Sequence, residues 1–134
     1  LERVEEFLNR KQQIANAYDK HLSCIDGICL PNRHSDAVNS IWLYTILLPP
    51  SCAEHKDQII HALLDKGVES RRVFFPLSNM PLYQPYRIKQ EPYRVSNMIS
   101  ERGISLPTPF DMQKSDTAFV CQVLKQCIAQ FTKR

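Results

Sequence analysis

GVESRRVFFPLSNMPLY, residues 67–83, contains the sharpest change of pattern in the chain. Gly67 follows an apolar helical pattern and is the residue type that favours a helix C-terminus. Residues 68–75 then alternate as a β-strand does, with Val73 and Phe75 opposite Phe74. Pro76 cannot donate to a strand ladder, so it ends the strand. The segment therefore predicts a helix, a strand and a proline-rich loop in immediate succession.

The sequence before Gly67 predicts a second strand and the helix that follows it. Residues 38–48 are rich in β-type residues, and both alternating sets are apolar, which is typical of a central strand covered on both faces. Residues 51–54, SCAE, fit a capping box for the next helix. The apolar face of that helix is expected to carry Ile59, Ile60, Leu63 and Leu64.

The two ends of the chain carry the clearest helical patterns. Residues 1–22 repeat apolar positions at three-and-four spacing, and no capping residue precedes them. Because residue 1 is Leu rather than Met, we expect the chain to continue a longer polypeptide. Residues 114–131 form the last predicted helix, with Ser115 and Asp116 available to cap it.

Between the strand and the last helix, four prolines lie within residues 76–92 and exclude an ordinary helix or central strand. We expect an ordered loop fixed by packing, which either lines a ligand site or covers the core edge, because its apolar residues are too many to leave in water: Phe75, Leu77, Met80, Leu82 and Tyr83. Residues 93–102 predict a short helix, and residues 104–106 a short edge strand. The whole pattern predicts a single α+β domain, an α/β-like layer of few strands covered by helices.

Composition and charge limit the classes of function. The 134 residues carry a net charge of +3, which fits one globular domain, and no apolar run approaches the ~20 residues that cross a bilayer. Residues 71–94 hold a local basic excess that suits an anionic small ligand or a solvated surface. The excess consists of Arg71, Arg72, Arg87, Lys89 and Arg94 against Glu91. Nucleic acid is a weaker prediction because no recognition motif accompanies the aromatic residues.

Cysteine usage and motif content predict no metal site and no complete catalytic motif. The five cysteines are odd in number and lack framework spacing, which favours reduced thiols in a cytosolic protein. Cys121 and Cys127 fall in a core helical pattern, whereas Cys24, Cys29 and His34 lack zinc-type spacing and a fourth ligand. A glycine-rich phosphate loop, a histidine pair and a nucleophile elbow are all missing from the sequence.

The segment 67–83 nevertheless resembles the C-terminal domain of the DegT–StrS family of sugar-nucleotide aminotransferases, and is most similar to perosamine synthase-like members. Three further segments resemble the family in the right order: residues 1–18, LERVEEFLNRKQQIANAY; residues 40–44, SIWLY; and residues 102–108, RGISLPT. The resemblance covers essentially the whole chain.

This resemblance implies the small C-terminal domain of the aspartate-aminotransferase (fold type I) architecture. Residues 1–134 would form one domain of a cytoplasmic enzyme that uses pyridoxal phosphate and glutamate to aminate a nucleotide-linked 4-keto-6-deoxy sugar, as in polysaccharide or O-antigen biosynthesis. The large domain, with the cofactor lysine, would precede Leu1. The fragment would thus hold no catalytic or cofactor-binding residue and would be inactive alone, while the parent would be a homodimer.

The resemblance also implies a substrate-binding loop at residues 75–83. Its expected contacts, together with an anion-binding arginine, are Arg71, Phe75, Ser78, Asn79, Met80 and Tyr83. Phe74 and Leu77 are expected in the core and Arg72 on the surface. Ser78 stands where many relatives have histidine, and a hydroxyl cannot titrate near neutral pH as imidazole does.

Two other functions remain open at this stage. One is a non-enzymatic α+β module that binds an anion or another small ligand in the basic region. The other is a family member that has lost activity and serves as an interaction domain. If the chain is part of a family member, active or inactive, we expect the isolated fragment to self-associate through the helix of residues 1–22 and the loop of residues 75–83.

Overall fold

The computed structural model describes residues 2–33, 36–88 and 93–132, and its element order follows the predicted one. Within these residues, four α-helices alternate with three short strands. They are α1 (Val4–Leu22), β1 (Tyr44–Leu47), α2 (Lys56–Asp65), β2 (Arg71–Arg72), α3 (Arg94–Arg102), β3 (Gly103–Leu106) and α4 (Lys114–Thr132). This arrangement confirms the predicted α+β class. Within the described ranges, no helix has the length and hydropathy needed to cross a bilayer.

The strands form an antiparallel sheet in the order β1-β3-β2, so β3 is the central strand. The prediction that residues 104–106 form an edge strand is therefore wrong: all four residues of β3 are buried. The prediction that residues 38–48 form a central strand is also wrong, because β1 lies at the side of the sheet. Edge and centre depend on long-range pairing, which local periodicity does not encode.

Strand β1 is shorter than predicted because the backbone turns at Ile41. Ile41 has φ +50°, a left-handed conformation that breaks an extended run. Trp42 beyond it is 70% exposed, and Val38 before it is 89% exposed. Helices cover one face of the sheet, and on the other face Thr45 and Leu47 are only half-buried.

One hydrophobic core joins the inner face of the sheet to α1, α2 and α4. Its largest fully buried side chains include Tyr18, Tyr44, Leu22, Ile46, Ile59, Leu63, Ile104, Leu106 and Leu124. Tyr18 stacks on Tyr44 at a centroid distance of 4.7 Å and donates a hydrogen bond of 2.7 Å to the carbonyl of Pro107. Cys121 and Cys127 are buried in this core, as predicted.

The ends of the helices confirm some predicted caps and correct one. Gly67, with φ +80°, ends the turn after α2. Asp116 in the first turn of α4 accepts a 2.7 Å hydrogen bond from the amide of Gln113. The capping box at residues 51–54 is wrong, because Pro50–His55 forms a 3₁₀ helix and α2 begins only at Lys56, without a side-chain cap. Pro49 and Pro50 preset the backbone for that tighter turn.

Two basic side chains of α1 hold the segment that follows β3. Arg10 donates to the carbonyls of Phe110 and Met112, at 3.2 and 2.5 Å, and Lys11 donates to the carbonyl and the hydroxyl of Thr108. Burial lowers the pKa of Lys11. The segment next to β3 is thereby fixed against α1 by charge-assisted hydrogen bonds.

Candidate substrate site

Three of the six predicted substrate residues line cavities, and these cavities lie in two separate places. Ser78 and Tyr83 line a cavity of about 470 Å³, here called the tyrosine cavity. Its other lining residues are Pro76, Leu77, Tyr86, Arg87, Tyr93 and Ser96. Phe75, Asn79 and Met80 do not line it, and Arg71 lies on the outer face of the sheet.

The turn that shapes the tyrosine cavity is built from two 3₁₀ helices, Leu77–Asn79 and Pro81–Tyr86. Gln84 Nε2 donates to the carbonyl of Ser78 at 2.8 Å, which closes the turn on itself. Asn79 Nδ2 donates to Asn97 Oδ1 at 2.8 Å and ties the turn to α3. The exclusion of an ordinary helix is confirmed for residues 76–88, the described part of the proline-rich segment.

The apolar side chains of this turn are not packed in the core, which corrects two predictions. Phe74 is 74% and Leu77 63% exposed, although both were expected in the core. Phe75 and Leu82 are also mainly exposed. The segment keeps its shape through proline-restricted turns and polar bonds rather than through the apolar packing that its composition favoured.

Four residues of the tyrosine cavity were missed as site residues: Tyr86, Arg87, Tyr93 and Ser96. The guanidinium of Arg87 lies over the ring of Tyr93, 5.6 Å from its centroid. Tyr86 and Arg87 were visible in the sequence as part of the aromatic and basic stretch. Tyr93 and Ser96 come from the next helical segment and are brought in only by the fold. The cavity offers aromatic faces, hydroxyls and one cation, a combination that suits a sugar carrying a phosphate.

Arg71 lies in a second cavity of about 360 Å³ on the outer face of the sheet, here called the sheet groove. Its lining residues are Trp42, Leu43, Thr45, Arg71, Arg72, Val73, Phe74 and Ser105. Arg71 forms an exposed ion pair with Glu69 at 3.0 Å, and Arg72 forms one with Asp57 at 2.8 Å. The surface position predicted for Arg72 is confirmed. Lys89 and Glu91 of the basic stretch lie outside the described residues.

A Schiff base with pyridoxal phosphate requires a lysine amine that faces the ligand cavity. Neither the tyrosine cavity nor the sheet groove is lined by a lysine. Lys11 contacts Thr108, Lys56 donates to the carbonyl of Ser100 at 2.5 Å, and Lys125 contacts the sulfur of Cys24 at 3.1 Å. Lys89 and Lys133 lie outside the described residues.

Metal-ligating side chains do not converge in the part of the chain that the structure describes. Cys24 and Cys29 are both exposed, and Cys24 is the cysteine that contacts Lys125. His34, the third residue weighed as a zinc ligand, lies outside the described ranges.

Known proteins share both the sequence pattern and this fold. Residues 1–125 match the DegT/DnrJ/EryC1/StrS aminotransferase family. GDP-perosamine synthase from Escherichia coli O157:H7 is 26% identical over 126 residues, which are 94% of this chain and 33% of that protein. The dTDP-4-dehydro-2,3,6-trideoxy-D-glucose 4-aminotransferase of Saccharopolyspora spinosa is 34% identical over 85 residues, which are 63% of this chain and 21% of that protein.

Among solved structures, Helicobacter pylori PseC, an aminotransferase involved in the biosynthesis of pseudoaminic acid, superposes with a TM-score of 0.86. The superposition covers 98% of this chain and 35% of PseC, at 18% identity, so it demonstrates the shared fold alone. The chain spans about a third of the length of the GDP-perosamine synthases that it matches.

Proposed function

The chain belongs to the DegT/DnrJ/EryC1/StrS aminotransferase family, and on that premise we propose that it is the C-terminal domain of a pyridoxal phosphate-dependent sugar aminotransferase. The parent enzyme would transfer an amino group from glutamate to a nucleotide-linked 4-keto-6-deoxy sugar. The observation that carries this proposal is the family match over residues 1–125, together with perosamine synthases of which the chain spans about a third.

The proposal assigns the cofactor lysine and part of the substrate site to two different domains. The cofactor, when bound in the parent, supplies an electron sink for amino transfer. Because no described lysine lines the tyrosine cavity or the sheet groove, we assign that lysine to a large domain outside this sequence. Residues 1–134 would then be a single domain that binds and orients the substrate and would not transaminate alone.

The tyrosine cavity supports a role as one wall of the substrate cleft. The rings of Tyr83 and Tyr86 can pack on the apolar face of a deoxysugar, and the Ser78 hydroxyl can hydrogen-bond to it. The guanidinium of Arg87 can pair with a phosphate oxygen. The exposed apolar side chains of the turn also support contact with a large domain or a partner subunit, as in the proposed homodimer.

The proposal is tested by comparing this chain with the full-length gene product. With pyridoxal phosphate, glutamate and a nucleotide-linked 4-keto-6-deoxy sugar, we expect the full-length protein to form the amino sugar and this chain to form none. The assignment would be contradicted if this chain with pyridoxal phosphate showed turnover and a visible absorbance band that is lost on borohydride reduction.

Two substitutions in the full-length protein test the role of the turn. Ser78→His should keep the rate within about tenfold, because an imidazole can still hydrogen-bond in the open cavity. Met80→Asp should lower it about 100-fold or more, because a carboxylate would replace a half-buried thioether beside the turn. Leu64→Asp, on α2 at a position that is 56% exposed and outside both the turn and the cavity lining, is the matched control. Equal and complete loss from Ser78→His and Met80→Asp would count against this role of the turn.

A further inference from the structure

A cysteine and a lysine from distant parts of the chain meet where the end of α1 approaches α4. Lys125 Nζ lies 3.1 Å from Cys24 Sγ, although the two residues are 101 positions apart in sequence. Neither residue lines the tyrosine cavity or the sheet groove. The amino-transfer proposal therefore leaves this pair of nucleophilic side chains unassigned.

The core fixes the backbone on both sides of the pair, although both side chains are exposed. Cys24 lies between Leu22, which is fully buried, and Ile25, whose amide donates to the Leu22 carbonyl at 3.0 Å. Lys125 follows Leu124, which is also fully buried, and α4 packs directly on α1. The contact is therefore set by the packing of two helices, while its reacting atoms remain accessible to solvent.

The polar surroundings of Cys24 suit a reactive sulfur. Its thiol donates a weak hydrogen bond of 3.4 Å to the carbonyl of His21, and the ammonium of Lys125 donates to the sulfur. Lys125 forms no ion pair with a carboxylate of the described residues. Its positive charge therefore faces the sulfur, in an exposed and electropositive setting of the kind in which cysteines react with oxidants.

The other cysteines do not share this setting. Cys52, Cys121 and Cys127 are buried, and burial raises the pKa of each thiol, so these three stay protonated near neutral pH. Cys29 is exposed, but within the described ranges the sulfur that a lysine contacts is that of Cys24. Oxidation is therefore expected to select Cys24.

We propose that Cys24 and Lys125 form a redox-sensitive modification site, at which hydrogen peroxide converts the pair to a covalent sulfur–nitrogen crosslink. In the first step the Cys24 thiol attacks the peroxide: an S–O bond forms, the O–O bond breaks, and the thiol proton leaves in a water molecule. Sulfur is thereby oxidised to a sulfenic acid, and the peroxide is reduced.

The second step joins the two helices. Sulfenic acids condense with a nearby nitrogen, and here that nitrogen is the Lys125 amine after its ammonium has released a proton to solvent. An S–N bond forms, the S–O bond breaks, and the hydroxyl leaves as water with a second proton from the nitrogen. The pair loses two hydrogen atoms in total, and a thiol reductant can restore it. This site is independent of the amino-transfer proposal.

Peptide mapping of the full-length protein after hydrogen peroxide treatment tests the site. We expect a crosslinked species that joins Cys24 to Lys125, is lighter than the two peptides together by two hydrogen atoms, and disappears with dithiothreitol. Cys24→Ser and Lys125→Arg should each abolish it. Cys29→Ser and Lys114→Arg, which change another exposed cysteine and another exposed lysine, are the matched controls and should retain it.

Lys125→Arg also separates the crosslink from the oxidation that precedes it. Arginine keeps a positive charge beside Cys24 but cannot be deprotonated, so the sulfenic acid should persist and be labelled by dimedone about tenfold more than in the unchanged protein. Absence of the crosslink from the oxidised unchanged protein would overturn the inference. A crosslink that survives Lys125→Arg and is lost in Cys121→Val would also overturn it, because that bond would be a disulfide between Cys24 and Cys121.

Discussion

Replacing Gly103 by alanine should lower the free energy of unfolding by about 3 kcal/mol or more, the largest single-methyl effect that we expect in this chain. Gly103 is the residue at which α3 ends and β3 begins, with no intervening loop. Its amide donates to the carbonyl of Ile99. A Cβ at this position would lie well inside 3.0 Å of that same carbonyl oxygen and of Val73 Cγ2.

The expected loss of stability at Gly103 comes from steric overlap and not from backbone strain. Gly67→Ala measures the effect of backbone strain by itself. Gly103 has φ −77° and ψ 133°, which any residue adopts. Gly67 has the opposite properties: φ is +80°, and an added Cβ would meet no atom within 4 Å. Gly67→Ala should therefore cost about 1 kcal/mol, from backbone strain alone.

Urea unfolding followed by circular dichroism measures both variants. A Gly103→Ala loss no larger than that of Gly67→Ala would contradict the close approach of the Ile99 carbonyl and Val73 to Gly103. Adding Val73→Ala to Gly103→Ala should recover only part of the loss, because the clash with the Ile99 carbonyl remains. Full recovery of stability would show that the clash with Val73 alone causes the loss.

The sequence predicted the elements well wherever one periodicity holds over several turns. The patterns of α1 and α4 lie within a few residues of the observed helices, and Gly67 ends α2 as its conformational freedom predicts. The strands were predicted less well. Ile41 has high β-propensity, yet tertiary contacts hold it in a left-handed turn and shorten β1 to four residues. The central place of β3 depends on partners about 30 and 60 residues away in sequence.

The candidate site was predicted in part because its residues come from one loop and one strand. Ser78 and Tyr83 share a cavity, which a contiguous motif can indicate. Arg71 is close to them in sequence, but the strand register directs it to the outer face of the sheet beside Ser105. The pairing of Trp42 with Phe74 could not be read from either segment alone, since it depends on how far the chain turns at Ile41.

Alkaline pH should destabilise the fold steeply, because buried thiols and phenols of the core resist ionisation. Burial raises the pKa of Cys121 to about 12, and it also raises the pKa values of Cys52 and Cys127. Burial likewise raises the pKa values of Tyr18 and Tyr44, and the hydrogen bond from Tyr44 to Asp19 adds to its shift.

Each of these groups is neutral when protonated, and its folded-state pKa lies above its unfolded value. Its contribution to stability is therefore complete below the unfolded pKa, about 8.5 for a thiol and 10 for a phenol, and is lost as pH rises toward the folded value. For Cys121 alone, the loss between pH 9 and pH 11 should be about 2 to 3 kcal/mol. The tyrosines add to the slope above about pH 10.

The pH dependence of the urea midpoint, measured under reducing conditions, tests this prediction with matched variants. Because it removes the thiol, Cys121→Val should make the urea midpoint fall less steeply between pH 9 and pH 11, whatever its effect on stability at pH 7. Cys29→Ser, which removes an exposed thiol, is the matched control. If Cys121→Val and Cys29→Ser both retain the slope of the unmodified chain, Cys121 is not the group that couples alkaline pH to unfolding, and the packing of α4 on α1 around it would be contradicted.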